Sequence, residues 1–173
     1  MQEQTGVVTL RGTPVTLVGA PLVEKKAPPD VELLANDLSL VRLSDYKDSI
    51  CLISSVPSLD TPICDMQTRR FNQEIAHLGD NVRVLTISVD LPFAQKRWCG
   101  NSGIDRVITL SDHRETAFGM AYGVLMKEVR LLARAIFIID ASGILQYQQI
   151  NSEIGTEPDY EAALDALKKI VSI

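Results

Sequence analysis

Cysteine is scarce: three among 173 residues, at positions 51, 64 and 99, with no Cys-x-x-Cys pair. An odd number this small is not a disulfide scaffold. Histidine is scarcer still. With only His77 and His113 no zinc-like spacing arises, and neither a metal nor a cofactor is expected. Positive charge is not in excess. Lys and Arg number 17 against 22 Asp and Glu, giving a net charge of -5 and a pI of about 5.0, which argues against a nucleic-acid partner. Long apolar runs are missing too; one of the longest, residues 135–139, is far too short to span a bilayer. Residues 1–20 do not follow the plan of a signal peptide, because Glu3 stands where basic residues belong and Arg11 cuts the only early apolar run. The expectation is a cytoplasmic protein without a membrane or nucleic-acid partner. In that compartment a disulfide is more often catalytic than structural.

What is present is a core-forming chain, 46% apolar, without repeats, low-complexity tracts or linkers. One domain over residues 1–173 is expected. Residues 7–10 and 15–18 flank the turn formers Gly12 and Pro14 and predict an N-terminal β-hairpin within 1–20. Strands are predicted at 50–56, 82–89, 107–110, 133–139 and 144–150, the last two joined by the turn Asp140-Ala141-Ser142-Gly143. Helices are predicted at 62–78, 92–100 and 115–122. A final amphipathic helix places Tyr160, Leu164, Leu167 and Val171 on one face, with acidic residues at its start and Lys168 and Lys169 near its end. The order β-α-β followed by β-β-α gives an α/β protein of the thioredoxin-like kind: a central mixed β-sheet flanked by helices, with the hairpin as an extension.

The chemistry centres on Cys64. Thr61 fits an N-cap and Pro62 the first helical position, so Cys64 falls in the first turn. A thiolate there meets unpaired backbone N–H groups and the positive end of the helix dipole, which favour the charged, nucleophilic form. Cys64 shares a helix face with Phe71, Ile75 and Leu78, which points it inward, to the floor of a pocket. The competing reading is an ordinary half-buried cysteine at a helix start. Arg134 interrupts an apolar strand and shares a face with Ile136 and Ile138. An arginine there needs a partner, either a structural carboxylate or a thiolate. Cys51, inside Ile50-Cys51-Leu52-Ile53, reads as a small core hydrophobe. His77 and His113 read as surface or capping residues.

The pattern Pro57-x-x-x-Thr61-x-x-Cys64 resembles the active-site signature of the peroxiredoxins. The full string Pro57-Ser58-Leu59-Asp60-Thr61-Pro62-Ile63-Cys64 resembles their thiol peroxidase subgroup, the atypical two-cysteine type. Residues 69–72, 97–103 and 131–140 and the N-terminal hairpin resemble it as well. The resemblance implies that Cys64 attacks the peroxide and becomes a sulfenic acid. It implies that Thr61 hydrogen-bonds the thiolate and the peroxide, that Pro57 walls the pocket, and that Arg134 stabilises the developing charge. Cys99 would resolve the sulfenic acid as an intrachain disulfide. Both cysteines begin on predicted helices, so local unwinding is expected to bring them within the roughly 7 Å between Cα atoms that a disulfide needs. Trp98 departs from the more usual Phe, which leaves its packing role open. Hydrogen peroxide and organic hydroperoxides as substrates, thioredoxin as reductant and a homodimer are further implications. A Cys-x-x-Cys disulfide reductase and a non-enzymatic peroxide sensor are the alternatives.

Overall fold

Ile50, Cys51, Leu52 and Ile53 open β5 (Ile50–Ser55), a strand in which every residue is buried. A strand covered on both faces needs a layer on each side. The computed structural model, which describes residues 1–104 and 106–172, shows both layers. β5 runs parallel to β6 (Val82–Ser88), and β6 parallel to β7 (Val107–Ser111). Parallel neighbours require crossover connections. Helices α1 (Pro62–Glu74) and α2 (Pro92–Ser102) supply them. On the other side of β5 lies the expected hairpin of β10 (Ala135–Ile139) and β11 (Leu145–Ile150), antiparallel throughout. Its turn is made as the sequence predicts: Asp140 Oδ1 accepts from the backbone N–H of Ser142 and Ile144 at 2.9 and 3.0 Å, and Gly143 takes φ +82°. Strands β3 (Glu32–Leu34) and β4 (Leu40–Arg42) complete a mixed sheet of order β11-β10-β5-β6-β7-β3-β4.

Alternation along the strands divides the core in two. Leu52, Val84, Ile136 and Ile138 face α1 and α4 (Tyr160–Val171). Ile53, Leu85, Ile87 and Phe137 face the other way, toward the N-terminal strands and Phe118 and Tyr122. There β1 (Glu3–Leu10) and β2 (Thr13–Val18) join β8 (Leu125–Met126) and β9 (Leu131–Leu132) in a second, four-stranded sheet. Gly19 is where the hairpin passes the end of α3 (Ala117–Ala121). A Cβ at that position would stand 2.0 Å from the Met120 carbonyl oxygen.

Several expectations shift at their edges. The hairpin turn is made by Arg11 and Gly12, both at positive φ, whereas Pro14 lies within β2 opposite Thr9. Helix α1 ends at Glu74 and continues as a 3-10 turn over Ile75–His77. Helix α3 is shorter than predicted because Asp112 accepts from the N–H groups of Phe118 and Gly119 and fixes its start. Val171 is 38% exposed, so the buried face of α4 stops at Leu167. No helix among the described residues is long and apolar enough to cross a membrane.

Candidate active site

Chain direction brings the site together. β5 and β6 end side by side, so the loops that follow them share one rim of the sheet. Asp90, just past β6, reaches back across that rim. Its carboxylate accepts from the Ser58 hydroxyl at 2.7 Å, the Leu59 N–H at 2.8 Å and the Ser88 hydroxyl at 2.7 Å. The loop from buried Pro57 to Thr61 is thereby fixed before α1 begins. Thr61 caps the helix and Pro62 occupies its first turn, as the sequence predicts. The Thr61 hydroxyl accepts from the Cys64 N–H at 3.4 Å and donates to the Ser58 carbonyl at 3.1 Å. Its partners are therefore backbone groups, where the resemblance implied a bond to the sulfur itself.

The sulfur is held by Arg134. Nη1 and Nη2 each lie 3.4 Å from Cys64 Sγ. Nη1 also donates to Gln67 Oε1 at 2.8 Å, and Nε to the Ile154 carbonyl at 3.0 Å. Arg134 sits just before β10, is 2% exposed, and forms no ion pair with a carboxylate among the described residues. Among the described residues the carboxylate alternative for Arg134 finds no support. Burying an unpaired charge is expensive. Among the described residues, Cys64 is the one hydrogen-bond partner of Arg134 whose side chain can lose a proton.

Gln67 was not anticipated from the sequence. It lies one helical turn after Cys64, is fully buried, and donates from Nε2 to Ser54 Oγ at 2.7 Å while accepting from Arg134. A polar residue on the apolar face of α1 was the available signal. Asp90 and the Ile154 carbonyl left none. Ile154 belongs to a segment clasped to the N-terminal hairpin. Its N–H donates to the Thr9 carbonyl at 2.9 Å, and the neighbouring Glu153 carboxylate accepts from the Thr9 hydroxyl and the N–H groups of Arg11 and Gly12. The hairpin extension therefore steadies the carbonyl that orients Arg134.

Cys64 is not open to solvent. Its exposure is 0%, and it packs with Val56, Leu59 and the half-buried Trp98 of α2. The pocket expected above Cys64 is closed in this conformation, and packing against the cluster of Val56, Leu59 and Cys64 is the role that Trp98 takes. Cys99 follows Trp98 on α2, half-buried, with Sγ 3.6 Å from the Thr109 hydroxyl. All three cysteines are free thiols, and Cys64 and Cys99 both lie within helices. Gly103 ends α2 in the left-handed conformation, and Arg69 of α1 donates to the Ser102 carbonyl at 2.9 Å. Cys51 lies on β5. Burial pushes its thiol up to about 11, so it stays protonated at neutral pH. His77 is exposed, and His113 is half-buried with Nδ1 3.0 Å from the Ser111 hydroxyl.

A buried thiol answered by a lone arginine at a helix start, on a sheet of this order, defines a class, and comparison with known proteins gives it a family. The redoxin family model matches residues 22–164. A thiol peroxidase of Oceanobacillus iheyensis is 56% identical over 162 residues, covering 94% of this chain and 98% of its own. A thiol peroxidase of Bacillus subtilis is 51% identical over 164 residues, covering 95% and 98%. Among solved structures, a peroxiredoxin-like protein from Aquifex aeolicus superposes with a TM-score of 0.88 at 40% identity, covering 96% of each chain. The chain belongs to the redoxin family, among its peroxiredoxins of the thiol peroxidase kind, and its α/β architecture is their thioredoxin-like fold. It is accordingly a thiol-dependent peroxide-reducing enzyme.

Proposed function

We propose that Cys64 is the residue that meets the peroxide and Cys99 the one that resolves it, with hydrogen peroxide and organic hydroperoxides as substrates. The observation that carries this reading is the two-point contact of Arg134 on Cys64 Sγ, with no competing carboxylate among the described residues. Hydrogen bonds to a charged partner contribute about 1.5–3 kcal/mol each. They favour the thiolate and remain in place when charge moves to oxygen. The Cys64 thiolate attacks one peroxide oxygen, an S–O bond forms, the O–O bond breaks, and the departing oxygen takes a proton to leave as water or an alcohol. Arg134 stabilises that departing oxygen. Pro57 and Thr61 shape the loop side of the pocket, and the Thr61 hydroxyl can turn from the Ser58 carbonyl to the peroxide. Cys99 then attacks the sulfenic sulfur, an S–S bond forms and water leaves. A dithiol reductant of the thioredoxin type returns both cysteines to thiols by exchange. In this reading residues 1–173 act as one domain in the cytoplasm, as a homodimer.

The deciding experiment is thioredoxin-coupled peroxide consumption by wild type, Cys64→Ser and Cys99→Ser. The first variant loses reduction with any reductant. The second consumes about one peroxide per chain and then stalls as sulfenic acid or overoxidises. Normal turnover by Cys64→Ser would overturn the assignment.

A further inference from the structure

A cavity of about 160 Å³ lies on the face of the central sheet turned away from α1. Cys51, Ile53 and Leu85 line it from the strands, Ile139 from the end of β10, and Tyr122 from beyond α3. Arg134 precedes β10 and Ile139 ends it, so the cavity and the Cys64 site are separated by roughly 16 Å of strand at about 3.3 Å per residue, and by the thickness of the sheet. None of the groups that hold Cys64 contributes to the lining.

The walls are mostly apolar, yet one buried polar group is left over. Tyr122 is 1% exposed, and its hydroxyl has no hydrogen-bond partner among the described residues. Buried hydroxyls are rarely left so. Tyr122 lines the cavity together with Asp30 and Cys51. Burial keeps the group protonated, hence able to donate as well as accept. A closed apolar cavity of 150 Å³ holds benzene in another protein, so the size suits a single ring. Charge argues for a neutral occupant. Lys47 shares the lining with Asp30 and Asp140, which leaves an anion no advantage, and both carboxylates already accept hydrogen bonds, Asp30 from Ser44 and Asp140 from the N–H groups of Ser142 and Ile144, which leaves a cation little to draw it.

We propose that this cavity is a second binding site, independent of peroxide chemistry, for a small neutral monocyclic aromatic compound carrying one hydrogen-bonding substituent, seated with that substituent on the Tyr122 hydroxyl. The ring meets Ile53, Leu85 and Ile139, and the substituent supplies the partner that Tyr122 lacks.

The test is a backbone-amide NMR titration of the full chain with phenol and, separately, with benzene. Wild type is compared with Tyr122→Phe and with Cys51→Met, whose longer side chain fills the cavity. Saturable shifts are expected around residues 51, 53, 85, 122 and 139, with residues 57–67 unmoved. Tyr122→Phe should weaken phenol about fivefold, one ordinary hydrogen bond, and leave benzene unchanged. Cys51→Met should abolish both. Peroxide turnover in each variant verifies the fold. If Cys51→Met fails to fold, the phenol–benzene comparison in Tyr122→Phe decides alone. Absence of saturation in wild type, meaning that the cavity holds water only, would overturn the proposal. So would shifts centred on Cys64, or equal phenol affinity with and without the Tyr122 hydroxyl.

Discussion

Cys99 directs its sulfur to the Thr109 hydroxyl at 3.6 Å, while Trp98, the residue before it on α2, packs against the cluster of Val56, Leu59 and Cys64. Successive helical residues point about 100° apart, so with all three cysteines free it is the indole, not the second thiol, that α2 turns toward the cluster holding Cys64. For a Cys64–Cys99 bond to form, α2 must turn or unwind so that Cys99 takes the side that Trp98 now presents.

Trp98 emission should therefore follow the redox cycle. Adding peroxide to reduced wild type should change the intensity or wavelength of this single tryptophan, and dithiothreitol should restore it. Cys99→Ser should lose the large, slow phase. Hydrogen exchange at residues 92–104 should be faster in the oxidised form, as expected for a segment opening locally. Identical spectra and protection in both forms would mean that α2 does not unwind.

Arg134→Met keeps the length of the stem and removes the charge. Peroxide attack should slow on the order of 10²-fold, the usual loss when a donor to developing charge is deleted. Alkylation of Cys64 at one fixed pH should slow as well. Gln67→Met should give a smaller change in the same direction, because Arg134 keeps the Ile154 carbonyl and the sulfur as partners. An unchanged alkylation rate in Arg134→Met would leave Arg134 a purely structural residue.

Cys51 should be dispensable for chemistry. Cys51→Ala should keep full turnover and lose roughly 1 kcal/mol of stability from lost packing. Mass mapping after peroxide should show Cys64 linked to Cys99. A major product containing Cys51 would mean that the wrong partner has been named.

Glu153 predicts a pH dependence of stability. The Thr9 hydroxyl, together with the N–H groups of Gly155, Gly12 and Arg11, holds its carboxyl down to about 2, from an ordinary value of 4.5. A group whose folded value is lowered contributes fully above the unfolded value, and that contribution fades as pH falls toward the folded one. Wild type should therefore melt above Glu153→Gln at neutral pH, with the gap shrinking between about pH 4.5 and 2. A gap that is constant with pH would show that the carboxylate charge does not matter.

Local chemistry made the Cys64 turn legible in the sequence. Thr61, Pro62 and Cys64 are neighbours, and the rules for helix starts act over a few residues. Arg134 was visible because a charge inside an apolar run demands a partner, but which partner required the fold. Strands β8 and β9, two residues each, are too short to carry any period. The closure of the Cys64 pocket was also hidden, because it depends on where α2 docks, and Trp98 announces nothing about that from its neighbours. The exposure of Val171, on the same helical face as buried Leu164 and Leu167, is also something that helical spacing alone cannot reveal.

The three hydrogen bonds of Asp90 tie the loop that launches α1 to the end of β6, two residues before α2 begins. Both cysteine-bearing helices thus depart from one moored point. In the proposed cycle the first turn of α1 and the later turns of α2 can melt while the point moored by Asp90 stays put, so the resolving thiol searches a small volume around Cys64 rather than the reach of a free chain. A short tether of this kind gives a high effective concentration. The lifetime of the sulfenic acid, and hence its exposure to a second peroxide, is then set in part by a carboxylate that never touches sulfur.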